Sequence, residues 1–328
     1  PHPRPHPRPH PRPHPHPHAH PGTLLADLTI TKLGEYGGPL AAGGGAFLVV
    51  ATDTAHRHVE ALLTRGLAAE AAAAGVPPPT VTDVSGGLAQ LTVQGPRSRE
   101  LLQEITSVDL SDGAFPFRTA RPLDIGCARL LATRITYVGE LGYELFVPAE
   151  LALHVYDTLA GAGLSHGLTH AGLAALGSLR MEKGYRDYGH DLDNLDTLLE
   201  AGLGFTADYD KKGGFVGIEH TLLQKGQGPP ARRLAQVLLT EPGPCLYHGE
   251  VVYRDGVVVG DVRSASYGHT LGGAVGLSMV QAGASGETPV TPSWIRSGTW
   301  EVDVAGTRYP ARASLRPLYD PKNEKIKV

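Results

Sequence analysis

The chain has 328 residues, of which 41% are hydrophobic and 19% charged, and a formal net charge of -4. That composition describes ordinary globular material with ample core, and the mild acidity excludes a nucleic-acid or anionic-membrane binder. The two cysteines, Cys127 and Cys245, form no metal-type spacing and no disulfide framework. No apolar run is long enough to span a bilayer, and the first residues form neither a signal-peptide core nor an amphipathic presequence.

Residues 1–21 read PHPRPHPRPHPRPHPHPHAHP. Proline at nearly every second position removes donors and blocks helix and sheet, so this segment reads as a disordered, extended His/Pro repeat. Its seven histidines are a compositional metal-binding pattern, which a spacer role explains better.

Globular sequence starts at Gly22. LLADLTITKL and AFLVVAT read as strands, the first a buried strand opened by Asp27. His56–Ala74 has a helical pattern ended by Gly75 and Pro77–Pro79. Thr80–Val84 and Leu88–Val93 read as two further strands, and Gly95-Pro96 opens a helix with Leu101, Leu102 and Ile105 on one face.

ITYVGELGYELFVP (135–148) reads as two strands joined by a tight turn that Gly139 and Gly142 bracket. Alternation in the second strand puts Tyr143, Leu145 and Val147 on one face and Glu144 and Phe146 on the other. A carboxylate in a strand either faces water or accepts a pair of N–H donors from a flat heterocycle, as it does from arginine. Helices follow at Glu150–Leu159 and Ala171–Lys183.

The polar run from Tyr185 to Asp193 then suits either a hydrogen-bonded surface loop or a metal site built from His190, Asp191 and Asp193, and the loop is the simpler reading. After a short helix, Ile218–Lys225, the cluster GQGPP marks a domain boundary. Residues 229–320 alternate as strands with turns at Asp255-Gly256 and Ala305-Gly306, which predicts a small antiparallel barrel or sandwich. No GxGxxG, P-loop or HExxH motif supports a nucleotide or zinc-hydrolase site.

ADLTITKL, LTVQGPRSRELLQ, ITYVGELGYELFVP, the run from SLRMEKGYRDYGHDLDNLDT to LEAGLGF, and GGFVGIEHTLLQKG occur in an order that resembles the glycine-cleavage T-protein (aminomethyltransferase) superfamily. The resemblance is closer to the C-terminal folate-binding region of the dimethylglycine and sarcosine dehydrogenases, and it covers about Gly22 to Lys327. It implies an α+β cloverleaf around a central tetrahydrofolate cleft: a folate-binding region over 22–226, a C-terminal β domain over 229–320 and a tail over 321–328. It implies that Asp27 is the catalytic carboxylate and Glu144 the pterin anchor, with Tyr143, Arg180 and Tyr188 at the cleft and no metal.

The implied reaction captures a methylene unit from a methylated glycine as methylenetetrahydrofolate. FAD would come only from a separate or missing flavin dehydrogenase domain. The resemblance also implies a mitochondrial matrix setting, while the charge and the lack of a long apolar run point to no nucleic-acid or membrane partner. The chain departs from the T-protein pattern at Leu176-Gly177, at Thr197-Leu-Leu-Glu200 and near Ala51. The first segment of the folate region has no counterpart, so part of the cleft wall is expected to be missing. DYGHDLDNLDT also resembles the equivalent loop of a non-catalytic regulatory subunit of pyruvate dehydrogenase phosphatase, which is the alternative reading, beside that of an incomplete fragment with neither function.

Overall fold

The computed structural model describes residues 22–34, 45–283 and 288–328, so the His/Pro repeat lies outside the described residues. The first elements are an antiparallel ribbon, β1 (Leu28–Lys32) and β2 (Phe47–Ala51), with Leu28 opposite Ala51. The expected buried strand after Asp27 is instead half open: Ile30 and Phe47 are 58% and 57% exposed. A two-stranded ribbon has too little partner surface to bury both faces.

Helix α1 (His56–Ala74) ends where Gly75 adopts φ 67 and its N–H returns to the Ala71 and Ala72 carbonyls. The strand expected over Thr80–Val84 does not form. Three prolines precede it, and the segment stays on the surface without a ladder partner.

A four-stranded antiparallel sheet follows, built from β3 (Leu88–Gln94), β4 (Ala120–Ile125), β5 (Ala128–Thr133) and β6 (Gly142–Pro148) in the order β3-β6-β5-β4. Helices α2 (Ser98–Ile105) and α3 (Ala152–His166) cover one face. Tyr143, Leu145 and Val147 point into that core with Leu101, Leu102, Val155 and Leu159. Each such aliphatic side chain contributes roughly 1.5–3 kcal/mol by leaving water.

The tight hairpin expected at GELG is absent, because the ITYV segment is not a strand. Residues 134–141 form an irregular connection between β5 and β6. Arg134 is fully buried and donates to Phe115 O at 2.7 Å and Val328 O at 2.8 Å. Tyr137 donates to Arg186 O at 3.0 Å and stacks on Tyr185. These long-range bonds draw the backbone out of the ladder despite its β-rich composition.

Helices α4 (Leu173–Glu182) and α5 (Ile218–Gly226) flank the polar loop. The chain then closes a six-stranded antiparallel barrel, which settles the choice between barrel and sandwich. Its strands are β7 (Arg232–Leu239), β8 (Val251–Arg254), β9 (Val257–Gly268), β10 (Gly273–Gln281), β11 (Trp300–Val304) and β12 (Thr307–Ser314), with α6 (Pro292–Ser297) between β10 and β11. The barrel interior holds Val237, Val252, Val262, Val280, Trp300 and Val302.

Asp255-Gly256 and Ala305-Gly306 both have positive φ at each residue, the geometry that matches hairpin twist. A third apolar cluster, with Met181, Leu192, Ala201, Leu234, Leu277 and Met279, seats α4 and the following loop on the barrel. Cys127 and Cys245 are free and exposed. Among the described residues no helix is long and apolar enough to cross a membrane.

Candidate functional site

The loop after α4 organises the polar centre. Gly184 turns the chain with φ 62, and the residues beyond it double back so that Asp191 N–H bonds to Asp187 O at 2.8 Å. Asp191 is fully buried. It pairs with Arg180, accepts from Ser264 Oγ and accepts the Asp187 N–H at 2.8 Å. Arg180 also donates to Tyr185 O and to Ser264 Oγ, both at 3.2 Å.

Asp196, equally buried, pairs with Arg232 of β7 at 2.9 Å and with Arg263 of β9. A buried carboxylate is tolerated when paired and hydrogen-bonded, and these two bonds pin the loop to the barrel wall. The hydrogen-bonded reading of this loop therefore describes it, although it is docked on the barrel and partly buried. His190 is exposed and pairs with Asp187 at 3.1 Å. Among the described residues no group of three His, Cys, Asp or Glu side chains converges as a metal site.

Asp27 reaches this centre on the segment before β1. The segment before β1 is tied to the loop: Leu24 N–H donates to Asp196 O at 2.9 Å, and Tyr188 Oη donates to Leu24 O at 3.2 Å. The residue Asp27 is solvent-exposed, yet its carboxyl lies close against surrounding protein. That burial raises its pKa, the negative charge of Asp187 raises it further, and the Leu28 N–H partly opposes both.

The Tyr137 hydroxyl reports the same neighbourhood. Burial pushes its pKa well above the ordinary phenol value, Arg180 opposes, and Asp187, Asp191 and Asp27 add to the rise. Asp27, Tyr137, Asp187, Arg180 and Asp191 thus lie within electrostatic reach of one another. The roles of Tyr137 and Asp187 were not legible in sequence, beyond the density of polar residues around 185–193.

Glu144 occupies the sheet face opposite the helices. It sits between Thr92 of β3 and Thr133 of β5 in the strand register, with Phe146 two residues on. It is half-buried. Burial raises its pKa, and a hydrogen bond with Gln90 opposes the rise. Among the described residues no cation pairs with it, and Thr133 Oγ1 beside it is buried without a hydrogen-bond partner. No hydrogen bond or ion pair among the described residues joins Glu144 to the Asp27 group.

Of the three expected cleft contacts, Tyr143 lies elsewhere. Tyr143 is fully buried on the helix side of the sheet, packed on Phe115 at 5.6 Å, and its hydroxyl accepts from Arg99 Nε at 3.3 Å. Period-two alternation turns it away from the face that Glu144 occupies. Arg180 is 8% exposed with its donors taken by Asp191, Tyr185 and Ser264, so it positions the loop. Tyr188 is partly exposed, and its hydroxyl anchors the segment leading to Asp27.

Residues 18–211 match the GCVT N-terminal domain family, and residues 232–320 match the glycine cleavage T-protein C-terminal barrel domain. The chain is 40% identical over 301 residues to the 4-methylaminobutanoate oxidase (formaldehyde-forming) of Paenarthrobacter nicotinovorans, covering 92% of this chain and 33% of that protein. It is 37% identical over 245 residues to the mitochondrial sarcosine dehydrogenase of Mus musculus, covering 75% of this chain and 26% of that one. The chain therefore spans a third or less of the length of these two relatives. Among solved structures, the glycine cleavage system aminomethyltransferase T of Bartonella henselae superposes with a TM-score of 0.71 at 22% identity, covering 93% of this chain and 74% of that one. At that identity the likeness speaks to the fold.

Proposed function

The chain belongs to the glycine cleavage T-protein family, and on that premise we propose that it is a tetrahydrofolate-binding one-carbon transfer module. It receives the carbon released when an N-methylated amine such as sarcosine or dimethylglycine is oxidised, and the product is methylenetetrahydrofolate. The observation that carries this reading is a contrast among the acids. Asp191, Asp196 and Asp320 each meet an arginine or lysine. Asp27 and Glu144, whose pKa values burial raises, meet none among the described residues. Partly desolvated carboxylates without a cation are poised for a ligand that brings its own N–H donors.

The side chains fit such a ligand. Glu144 offers two oxygens to adjacent donors on a heterocycle edge, and the orphaned Thr133 Oγ1 offers a further polar contact beside it. Tetrahydrofolate, when bound, supplies the nucleophilic nitrogen. Asp27 takes up the proton that this nitrogen loses, a task that its raised pKa favours, and its charge steadies the cationic carbon centre beforehand. The names of the two relatives, an oxidase of 4-methylaminobutanoate and a dehydrogenase of sarcosine, support an N-methyl amine as the carbon source. The amine oxidation itself is assigned to a flavin-bearing part that these residues do not build.

Titration calorimetry with tetrahydrofolate tests the reading. The wild-type chain binds, Glu144→Ala binds at least about tenfold more weakly through loss of charge-assisted hydrogen bonds, and Asp27→Asn binds but no longer accelerates capture of formaldehyde. Absence of folate affinity in the wild-type chain, or equal affinity in Glu144→Ala, overturns it and leaves the non-catalytic regulatory reading.

A further inference from the structure

A second concentration of charge lies away from Asp27 and Glu144. A cavity of about 450 Å³ opens between the Leu199–Phe205 loop, the end of α5 and the start of β7. Leu199, Gly202, Phe205, Lys225, Pro230 and Arg233 are among the residues that line it, and no acid is. Arg233 donates from Nη1 to Val290 O at 3.4 Å, while its Nε is buried without an acceptor.

Arg186 stands directly behind Gly202. A Cβ added at Gly202 would come within 3.1 Å of Arg186 Nη2, and the φ of +71 there also calls for glycine. Arg186 Nη1 donates to Gly184 O at 2.9 Å, and its Nε too is buried without an acceptor. Among the described residues neither guanidinium has a carboxylate within ion-pair distance. Asp191 attracts Arg186, but its oxygens are taken by Arg180, Ser264 and the Asp187 N–H.

This arrangement is costly without a ligand. Burial weakens the proton affinity of both guanidinium groups. At Arg186 the pull of Asp191 opposes that effect and the charge of Arg233 adds to it. Clustered, partly desolvated cations with unmade donors call for an anion, and a guanidinium fork matches the two oxygens of a carboxylate or phosphate. The rest of the lining is glycine, proline, leucine and the 73% exposed ring of Phe205, which suits the carbon part of a small molecule.

We propose that this cavity binds the oxyanion of a small organic anion. Arg233 is the direct donor, Lys225, whose ammonium lies 4.0 Å from the centre of the Tyr209 ring, adds a second cation to the lining, Arg186 adds charge from behind Gly202, and Phe205 and Pro230 pack the ligand's carbon frame. None of the residues assigned to folate lines the cavity, so the proposal stands apart from that reading.

Calorimetric titration of the full chain at low ionic strength, with inorganic phosphate and with glutarate in separate experiments, tests it. At least one probe binds with unit stoichiometry. Preference for phosphate marks a phosphate-ester ligand and preference for glutarate a carboxylate ligand, and each supports the site. Arg233→Gln weakens binding roughly tenfold or more, and Lys225→Gln weakens it severalfold. Lys211→Gln, an exposed lysine outside the cavity, leaves it unchanged. Circular dichroism melts check folding, and where Arg233→Gln does not fold, Lys225→Gln decides. No binding of either probe, undiminished binding in both cavity variants, or an equal loss in Lys211→Gln overturns the proposal.

Discussion

Lys183, at the end of α4, is fully buried, and its Nζ donates to Asp320 Oδ2 at 2.8 Å and to Asp320 O at 2.6 Å. The pair ties the helix that starts the site loop to the segment that follows the barrel. Beyond it Ile326 is buried and Val328 O accepts from Arg134, so the last residues pack back against the four-stranded region. One ion pair thereby couples elements that are 137 residues apart.

Lys183→Ala leaves a buried carboxylate without its cation, and such a loss typically costs about 3–5 kcal/mol. In urea melts the double variant with Asp320→Ala should lose less than the sum of the single changes. The pH dependence has a definite sign. Burial works against the Asp320 anion, but the Lys183 bond and the Glu324 and Lys325 N–H groups outweigh it and hold the pKa below the usual carboxylate range. A depressed folded pKa means stability that is complete above the unfolded value, near 4, and lost as pH falls through the folded value. Melting temperature should drop below about pH 4 in the wild type, and Asp320→Asn should flatten part of that acid slope.

Glu144 has the opposite linkage. Its folded pKa is raised by burial, so protonation favours the fold, and the contribution is lost as pH rises through the folded value. Glu144→Gln should raise the melting temperature at pH 7, and the gain should vanish near pH 4. The same variant should bind tetrahydrofolate more weakly, by about tenfold or more. A variant that is more stable and binds less well marks an acid kept for a ligand, whereas a merely solvated strand residue would move neither readout.

Tyr143 separates packing from binding. Tyr143→Phe removes the hydrogen bond from Arg99 and should cost about 1 kcal/mol or less, with folate affinity unchanged. Tyr143→Ala opens the core against Phe115 and should cost about 3–5 kcal/mol. Urea melts beside folate titrations check both. A marked affinity loss in the folded Tyr143→Phe variant would return this residue to the cleft.

Local chemistry made much of the fold legible. The period-two alternation of 142–148 set Tyr143, Leu145 and Val147 on one face and Glu144 on the other, because strand geometry sets side-chain direction without reference to distant residues; that the Tyr143 face is the core came only from the packing of α2 and α3. Gly75 ended α1, and the Asp255-Gly256 and Ala305-Gly306 turns were readable for the same reason, since positive φ is a property of the residues themselves. The quoted motifs carried the family resemblance because their order along the chain is a property of the sequence alone.

What the sequence by itself determined, then, was the family, the elements with strong periodicity and the face of Glu144. Tertiary structure alone decided that ITYV leaves the ladder, that Arg180 serves Asp191, and that Asp27 lies within electrostatic reach of Asp187 and Tyr137. It also decided that Arg186 and Arg233 share one region with no carboxylate within ion-pair distance among the described residues. These outcomes depend on which charges and hydroxyls approach across the chain, from 11 positions for Arg180 and Asp191 to 194 for Arg134 and Val328, and such pairing energies outweigh the local propensity that a sequence displays.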